Sequence, residues 1–375
     1  MFYCEGLASV FRFGFLPASM SSPGARLPLR FANVLLLLAS CLGAFLVAET
    51  ALRLLGRGDA ARITSTLDIF TPDPRTGYAL EPDLSRVLHW NGKDVFIKTD
   101  SRGCRIPADP GFVAARGRRK LVFCGDSYVF GNEENAADTF VFLLGGPLDR
   151  DAVNLGVGGY STFQSLHRLE GYLSETAVGP GDLVVLVFFV GNDFRDNLSA
   201  NHTLDVDPRG RLRTAWGRRH RRLRDLIHRS HLLSLVALRA RSAYLRWRYP
   251  SLGLRYAPIY APGFYSERML DRTRQALRRF RDQTAAAGVQ FAVAILPDKD
   301  QLYKSFPDEA ARRRPNNAAA VLLREFEVPF IDLLPPLLER RDEGLYNLTP
   351  TGHLSVRGHR AVAEILASFV DSAVP

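Results

Sequence analysis

The stretch that most constrains the fold is Lys120 to Gly131, which reads KLVFCGDSYVFG. It begins with an apolar run, which Gly125-Asp126-Ser127 ends before a turn of small residues. Four to eight apolar residues closed by a turn signal are typical of a buried parallel strand. Ligands of open parallel sheets bind just beyond the carboxyl ends of strands, so Ser127 is predicted where a nucleophile would be exposed. Gly-Asp-Ser is also an ordinary turn, and this stretch alone leaves both interpretations open.

Apolar strands alternate with helices along the same part of the chain. This alternation predicts a parallel sheet covered by helices on both faces. The predicted strands are Lys120–Cys124, Ala152–Leu155, Leu183–Val190, Gln290–Leu296 and Pro329–Asp332. The predicted helices are Thr139–Leu144, Ser161–Leu173, Ser266–Ala287 and Val356–Val370, with Ser266 as an N-cap.

The N-terminal part has a different composition. An irregular tail, residues 1–30, precedes an apolar segment, residues 31–56, in which Phe31 to Ala48 carries no charge. With its flanks this segment is long enough to cross a bilayer. A cleaved signal peptide and a lipoprotein signal ending at Cys41 are the alternatives, but the apolar run continues past Cys41 and a cleaved signal would be shorter. We therefore expect an uncleaved transmembrane anchor, with the rest of the chain outside the cytoplasm.

Two further regions flank or interrupt the strand–helix pattern. Residues 57–117 read as a linker and N-terminal extension that lies on the main domain, with a turn-rich segment, Thr71–Tyr78, and a short strand, Val95–Thr99. Residues 198–264 form an Arg-rich stretch between the third and fourth strands. It is predicted to be a helical insertion with solvated arginines; a lid or a face on an anionic membrane surface is the alternative.

Charge and cysteine usage exclude several classes of protein. The chain carries 49 Lys and Arg against 39 Asp and Glu, a formal net charge of +10, and a basic protein can bind nucleic acid. The excess is mostly arginine spread along the chain, without a zinc-finger spacing or an RNA-binding signature, so we expect no nucleic-acid partner. The four cysteines lack the paired spacing of a disulfide framework or a zinc site and are predicted to be small buried hydrophobes. They are Cys4, Cys41, Cys104 and Cys124.

Three later segments supply what acyl transfer requires beside a serine. They are Val153–Tyr160, Phe188–Asp193 and Gly352–Ala363. A serine becomes nucleophilic only when a base takes its proton, and the third segment offers two histidines, His353 in a loop and His359 inside a predicted helix. The oxyanion of the tetrahedral intermediate needs preorganised donors.

The donors of such an oxyanion hole are predicted at three neighbouring strand ends. They are the backbone N–H of Ser127, the backbone N–H of Gly159, where glycine permits close approach, and the side chain of Asn192. Each segment also has an ordinary structural explanation: a strand-to-helix turn, an Asx cap or a structural histidine.

The order Ser, Gly, Asn, His resembles that of the SGNH, or GDSL-type, hydrolases. In this resemblance Ser127 is the nucleophile, Gly159 and Asn192 complete the oxyanion hole, and His353 is the base, whereas His359 belongs to a non-catalytic helix opening. The resemblance covers roughly residues 118–371. It implies a flavodoxin-like three-layer α/β/α sandwich around a five-stranded parallel sheet, and ester hydrolysis or acyl transfer with no metal and no organic cofactor.

The sequence departs from this family at one position. The family usually places an Asp two or three residues before the catalytic His, where this chain has Thr351 and Pro350. Such an acid orients the imidazole and stabilises its cation, so a backbone carbonyl or another acid has to replace it. Asp332, at the end of the fifth strand, is a candidate by position only. The departure also favours an alternative: a catalytically degenerate domain that binds glycan or organises a membrane complex.

Together these features predict a membrane-anchored serine esterase or acyltransferase. The anchor and parts of residues 57–117 further resemble membrane-anchored bacterial members of the group, which implies acyl esters, O-acetyl esters among them, of a cell-surface polysaccharide or lipid as substrates. We expect a single-pass cell-membrane protein with a periplasmic catalytic domain. The sequence does not separate hydrolysis from transfer, because both pass through the same acyl-enzyme.

Overall fold

The structure is a computed structural model of the chain. It describes residues 29–55, 69–90, 93–109, 117–198, 204–206, 212–214, 230–233, 235–236, 239–240, 258–347 and 352–373. Side chains are described for these residues except 29, 30, 89, 90, 204–206 and 212–214. Most of the predicted N-terminal tail, most of the Arg-rich stretch of 198–264, and both Pro350 and Thr351 lie outside the described residues.

The first unit of the chain, which ends at Leu55, contains the helix α1, Leu29–Leu54. Its segment Phe31–Leu54 has a mean hydropathy of 2.3 and is long and apolar enough to cross a membrane. Length and composition of this kind suit an anchor and a signal sequence alike. The helix coincides with the predicted apolar segment 31–56 to within two residues at each end.

The second unit, from Gly56 onward, is built on an eight-stranded mixed sheet. Its strands are β3 Ser85–Trp90, β4 Lys93–Thr99, β5 Arg105–Ile106, β6 Lys120–Cys124, β7 Asp151–Asn154, β8 Leu183–Phe189, β11 Gln290–Leu296 and β12 Phe330–Asp332. Their spatial order in the sheet is β12, β11, β8, β6, β7, β5, β4 and β3.

The five strands from β12 to β7 run parallel to one another, and β5, β4 and β3 continue the sheet antiparallel. The predicted five-stranded parallel sheet is thus the larger part of a wider mixed sheet. The strands of the N-terminal extension join this sheet through a single register pair, Arg105 with Asn154.

Two short hairpins lie outside the main sheet. The first joins β1, Phe70–Asp73, to β2, Gly77–Leu80, in the turn-rich segment of the extension. The second joins β9, Leu204–Val206, to β10, Leu212–Thr214. Because β9 and β10 fall within residues 198–264, the prediction of a helical insertion is wrong for that part of the stretch.

Helices cover both faces of the sheet, as the sandwich prediction requires. Alternate residues of a strand point to opposite faces: Leu121 and Phe123 of β6 belong to one buried cluster, and Val122 and Cys124 to the other. The helices are α2 Ser127–Phe130, α3 Phe140–Gly145, α4 Thr162–Glu175, α5 Asp193–Asp196, α6 Glu267–Ala286, α7 Lys299–Tyr303, α8 Glu309–Arg324, α9 Leu334–Glu339 and α10 Val356–Ala373.

Two of the longer helices begin where capping chemistry places them. The Ser266 hydroxyl accepts a hydrogen bond from Met269 N at 3.3 Å and caps α6 as predicted. Ser161 and Gln164 form a reciprocal capping box at the start of α4. Helix α8 is absent from the sequence prediction and carries Pro315 inside its second turn, where the ring removes the N–H that would otherwise bond to the carbonyl of Ala311.

Candidate active site

Ser127 lies at the carboxyl end of β6, on the first residue of α2. The carboxylate of Asp126 caps this helix by accepting a hydrogen bond from Tyr128 N at 2.9 Å. Gly125, with φ +156°, has no room for a side chain, because an added Cβ would lie 2.5 Å from Val129 Cγ2 and 3.0 Å from Val187 O. The Gly-Asp-Ser turn therefore has a packing reason for its glycine and a capping reason for its aspartate.

His353 is the histidine that lies against Ser127. Its Nε2 is 2.9 Å from Ser127 Oγ, although the two residues come from opposite ends of the domain sequence. The loop that carries His353 is held in place by backbone and side-chain bonds: Asn347 N donates to His353 O at 2.8 Å, and Tyr128 Oη donates to Gly352 O at 3.2 Å. The Tyr128 ring also packs against the imidazole, with ring centroids 5.0 Å apart.

His359, the other histidine of the segment, has a structural position. It is buried in α10, stacks on Phe140, and accepts a hydrogen bond from Phe140 N at 3.3 Å through Nδ1. Burial lowers the pKa of His359 to about 3. The ring is therefore neutral at physiological pH and serves as an acceptor for the start of α3.

The carboxylate beside His353 is that of Glu133, not that of Asp332. Glu133 Oε1 lies 3.2 Å from His353 Nδ1, and only 3% of the Glu133 side chain is exposed. Asp332 instead accepts hydrogen bonds from Asn316 Nδ2 at 2.6 Å and from Leu334 N at 3.0 Å. The positional argument for Asp332 fails because its carboxylate is used to begin α9, whereas the turn after Ser127 brings Glu133 to the imidazole.

Asn192 lies next to the Gly-Asp-Ser turn, and its amide bonds to Asp126. Its Nδ2 donates to Asp126 Oδ2 at 3.1 Å, and its Oδ1 is buried with no hydrogen-bond partner among the described residues. An Asn amide has two N–H groups, so the bond to Asp126 orients the side chain and leaves the second N–H for another acceptor. Burial raises the pKa of Asp126 to about 6, against the opposing effect of its bonds from Tyr128 N and Asn192.

The glycine-rich segment after β7 packs directly on helix α2. Asn154 Nδ2 donates to Val129 O at 2.7 Å and Gly156 N donates to Asn154 Oδ1 at 2.9 Å. A Cβ at Gly156 would lie 2.3 Å from Phe130 N, so no other residue fits there. Gly159 follows in the left-handed region, with φ +81°. The three strand ends that carry Ser127, Gly159 and Asn192 are thus neighbours in the sheet order β7, β6, β8.

Comparison with known proteins decides the family. A family model described as "GDSL-like Lipase/Acylhydrolase family" matches residues 123–361, which is more than half of the chain and includes every predicted site residue. The chain belongs to the GDSL-like lipase/acylhydrolase family. It is accordingly an ester hydrolase of the SGNH/GDSL type, and the resemblance noted in its sequence is confirmed.

Several solved structures are similar to this hydrolase at low sequence identity. A lipolytic protein of the G-D-S-L family from Desulfitobacterium hafniense is 16% identical, with a TM-score of 0.38, over 67% of this chain and 98% of that one. An acetyl xylan esterase is 15% identical, with a TM-score of 0.38, over 66% and 98%. The esterase EstA from Pseudoalteromonas sp. is 10% identical, with a TM-score of 0.37, over 68% and 97%. No curated protein matches the chain.

Proposed function

We propose that this GDSL-type hydrolase is a serine esterase or acyltransferase in which Ser127 is the nucleophile and His353 the base. The observation that carries the proposal is the 2.9 Å separation of Ser127 Oγ and His353 Nε2 at the carboxyl end of a parallel strand. A hydroxyl within hydrogen-bond reach of an imidazole can transfer its proton as it attacks. With the Nδ1 side of the ring facing Glu133, the tautomer protonated at Nδ1 leaves Nε2 free to accept that proton.

The reaction proceeds in two proton-coupled halves. Ser127 Oγ attacks the ester carbonyl carbon, its proton passes to His353 Nε2, and the carbonyl π electrons move to the oxygen. The tetrahedral intermediate collapses with loss of the alcohol, which takes the proton from His353, and Ser127 retains the acyl group. Water or an acceptor hydroxyl then attacks the acyl-enzyme while His353 removes its proton. The second tetrahedral intermediate collapses as Ser127 Oγ leaves and takes that proton from His353, which releases the acid or the transferred ester and restores the free enzyme.

The oxyanion of both intermediates would be held by donors from three strand ends. These are Ser127 N–H, Gly159 N–H and the amide N–H of Asn192 that does not face Asp126. Their support is the packing of the Gly156 turn on α2 and the bond from Asn192 to Asp126 at 3.1 Å. Removal of one such donor typically costs about 10²–10³ in kcat.

The finer part of the proposal concerns location and substrate. We assign α1 as a membrane anchor and the catalytic domain to the periplasmic side, so that acyl esters of a cell-surface glycan or lipid are its substrates. The apolar length of Phe31–Leu54 supports this. Carbonate extraction of membranes separates the two fates of α1: an anchored chain stays in the pellet, whereas a processed, soluble chain appears in the supernatant with residues 29–54 missing by mass.

The alternative of a degenerate binding domain drew its support from the absence of an acid before His353. Glu133 supplies a buried carboxylate 3.2 Å from the imidazole. The absence of an acid just before His353 therefore no longer favours a binding domain over an enzyme. We therefore retain the enzymatic function alone.

Hydrolysis of p-nitrophenyl acetate by the full chain in detergent tests the chemistry. Ser127→Ala and His353→Ala should each lower kcat by about 10³-fold or more. Ser174→Ala and His167→Ala are matched controls, because both side chains lie on α4 and bond only locally, to Gly171 O and to Glu170. Equal activity in wild type and Ser127→Ala would overturn the assignment of the nucleophile.

A further inference from the structure

Glu133 is held in a backbone conformation that its side chain does not favour. Its φ is +74°, in the left-handed region where residues other than glycine are uncommon. Conformations of this kind persist only where the surroundings impose them, and they cluster at functional sites. The contacts around Glu133 show what imposes it.

Arg105 binds the turn on both sides of Glu133. This fully buried guanidinium donates to Phe130 O, to Gly131 O at 2.7 Å and to Glu134 O at 2.6 Å. It also lies over the Phe130 ring, 4.4 Å from its centroid. Because one planar group fixes carbonyls before and after Glu133, it limits the backbone rotation by which this residue would leave the left-handed region.

Arg105 comes from the N-terminal extension, which contacts the same turn at two more points. Lys93 Nζ pairs with Glu134 Oε1 at 2.8 Å, and Phe96 N donates to Asn135 Oδ1 at 2.9 Å. Strands β4 and β5, which carry these groups, are the antiparallel continuation of the sheet. The extension therefore reaches the active-site turn through side chains and backbone alike.

Glu134 connects this turn to the loop that carries His353. Its Oε1 also accepts from Asn347 Nδ2 at 3.0 Å, and the backbone N–H of Asn347 donates to His353 O at 2.8 Å. The two adjacent glutamates thus serve two parts of the same element: Glu133 contacts the imidazole, and Glu134 contacts the loop on which the imidazole is mounted.

We infer that Glu133 is the positioning residue of the base and that Arg105 of the N-terminal extension holds it in place, which makes the extension part of the active site. This inference rests on the proposed function for its catalytic meaning. The acid is supplied from the turn of the nucleophile instead of from the loop of the base. Nucleophile and acid therefore move together, and the extension sets the position of both relative to His353.

A proton NMR spectrum of the resting full chain in detergent tests Glu133 without any turnover. A histidine Nδ1–H that is held by a buried carboxylate gives a low-field resonance, which His353→Ala assigns by its loss. We expect the resonance in wild type, Ser127→Ala and Asp332→Asn, and we expect it to be absent in Glu133→Gln. Absence in wild type, survival in Glu133→Gln or loss in Asp332→Asn would overturn the inference.

The rate of labelling of Ser127 by a fluorophosphonate gives the catalytic readout. Glu133→Gln should slow labelling by about 10²-fold or more, and Glu133→Asp should recover part of the rate, because a carboxylate in the shorter side chain still faces the ring. Absence of labelling in wild type with the expected resonance pattern would overturn the proposed function and leave the Glu133 assignment standing. Normal labelling of Glu133→Gln would overturn the Glu133 assignment and leave the proposed function standing.

Arg105→Lys tests the hold of the extension, since lysine keeps the charge and loses the planar fork. Labelling should slow by at least about tenfold, because a small misplacement of a reacting group is costly in rate. Arg102→Lys, three residues away in the same extension, should stay within about twofold. Lys93→Gln is the second variant, because this half-exposed side chain leaves the core intact, and it should slow labelling measurably. Wild-type rates in folded Arg105→Lys and in Lys93→Gln would overturn the role of the extension.

Discussion

Two buried or half-buried carboxylates mark two contrasting regions of this hydrolase. Asp332 at the end of β12 accepts from Leu334 N and Asn316 Nδ2, and both partners are local structural groups. Glu133, in the turn after α2, contacts the imidazole of a residue 220 positions away. The β12 end is built for its own stability, whereas the turn after Ser127 joins three distant segments at some cost in backbone strain. The two regions show that the partners of a carboxylate, and not its position at a strand end, determine what it does.

Exchange of each carboxylate for an amide should give the largest contrast. Glu133→Gln removes the negative charge beside His353, and we expect kcat for p-nitrophenyl acetate to fall by about 10²–10⁴-fold with little change in KM. Asp332→Asn should stay within about threefold of wild type. Steady-state kinetics on the two variants measures both. A fall in kcat confined to Asp332→Asn would break the comparison and return the acid to β12.

In the Gly-Asp-Ser turn, the negative charge of Asp126 should destabilise the fold. Burial raises the pKa of Asp126 to about 6 from an ordinary value of 3.8. The folded state therefore binds the proton more tightly than the unfolded state, so this group stabilises the fold below about pH 4 and that stabilisation is lost as the pH rises through about 6. The expected loss is about 3 kcal/mol.

Asp126→Asn tests this sign directly, because the Asn oxygen keeps the helix cap on Tyr128 N, while an uncharged amide nitrogen replaces the oxygen that faces Asn192. Denaturant unfolding at pH 4.5 and pH 7.5 should show that the variant loses less stability than wild type between the two values. Asp193, whose pKa burial and Asp126 raise well above the ordinary range, still contributes to the variant's slope. An identical slope in both proteins would show that Asp126 does not store this energy.

Removal of the Asp332 carboxylate at the β12 end should destabilise the fold, whereas removal of the Asp126 charge should relieve a destabilisation. Asp332→Ala leaves Leu334 N without its side-chain acceptor and the buried amide of Asn316 without its acceptor, and we expect a loss of about 1–3 kcal/mol in the free energy of unfolding. Turnover per folded molecule should remain near wild type. A stabilised Asp332→Ala would mean that desolvation of this carboxylate outweighs its hydrogen bonds.

The smallest expected effect concerns the extension's contact with the glycine-rich turn. Tyr78 Oη donates to Gly158 O at 3.0 Å, next to the proposed oxyanion donor Gly159. Tyr78→Phe keeps the ring, which packs edge-on against Phe70 and Tyr160, and removes one hydrogen bond worth about 0.5–1.5 kcal/mol. Thermal unfolding and kcat together should show a small loss of stability and a decrease in kcat of a few fold. Unchanged values of both would separate this part of the extension from the site.

The parallel part of the fold was predictable because its information is local. The three central parallel strands, β6, β8 and β11, are apolar runs, and the observed bounds of all five parallel strands agree with the predicted ones to within one residue. The antiparallel strands were not predictable to the same degree. Their pairing with the main sheet depends on a single contact, Arg105 opposite Asn154, which no local pattern indicates.

The candidate site was predictable where family order and residue type coincide, and it was missed where they do not. Ser127 and His353 were predicted and lie 2.9 Å apart. Glu133 was missed because the acid was sought before the histidine and at strand ends. The sequence does contain a signal, an adjacent pair of glutamates in Gly131-Asn132-Glu133-Glu134 just past the nucleophile. Nothing in the sequence alone shows that a buried arginine from β5 would turn one of them toward the imidazole.

The most direct test of the central claim is site-resolved labelling of the full chain in detergent with a fluorophosphonate. Intact mass and peptide mapping locate the adduct in wild type, Ser127→Ala and His353→Ala. The account predicts one adduct, on the peptide that contains Ser127, absent in Ser127→Ala and strongly slowed in His353→Ala. An adduct on another serine, or none in a folded protein, would contradict the assignment of Ser127 and His353 as nucleophile and base.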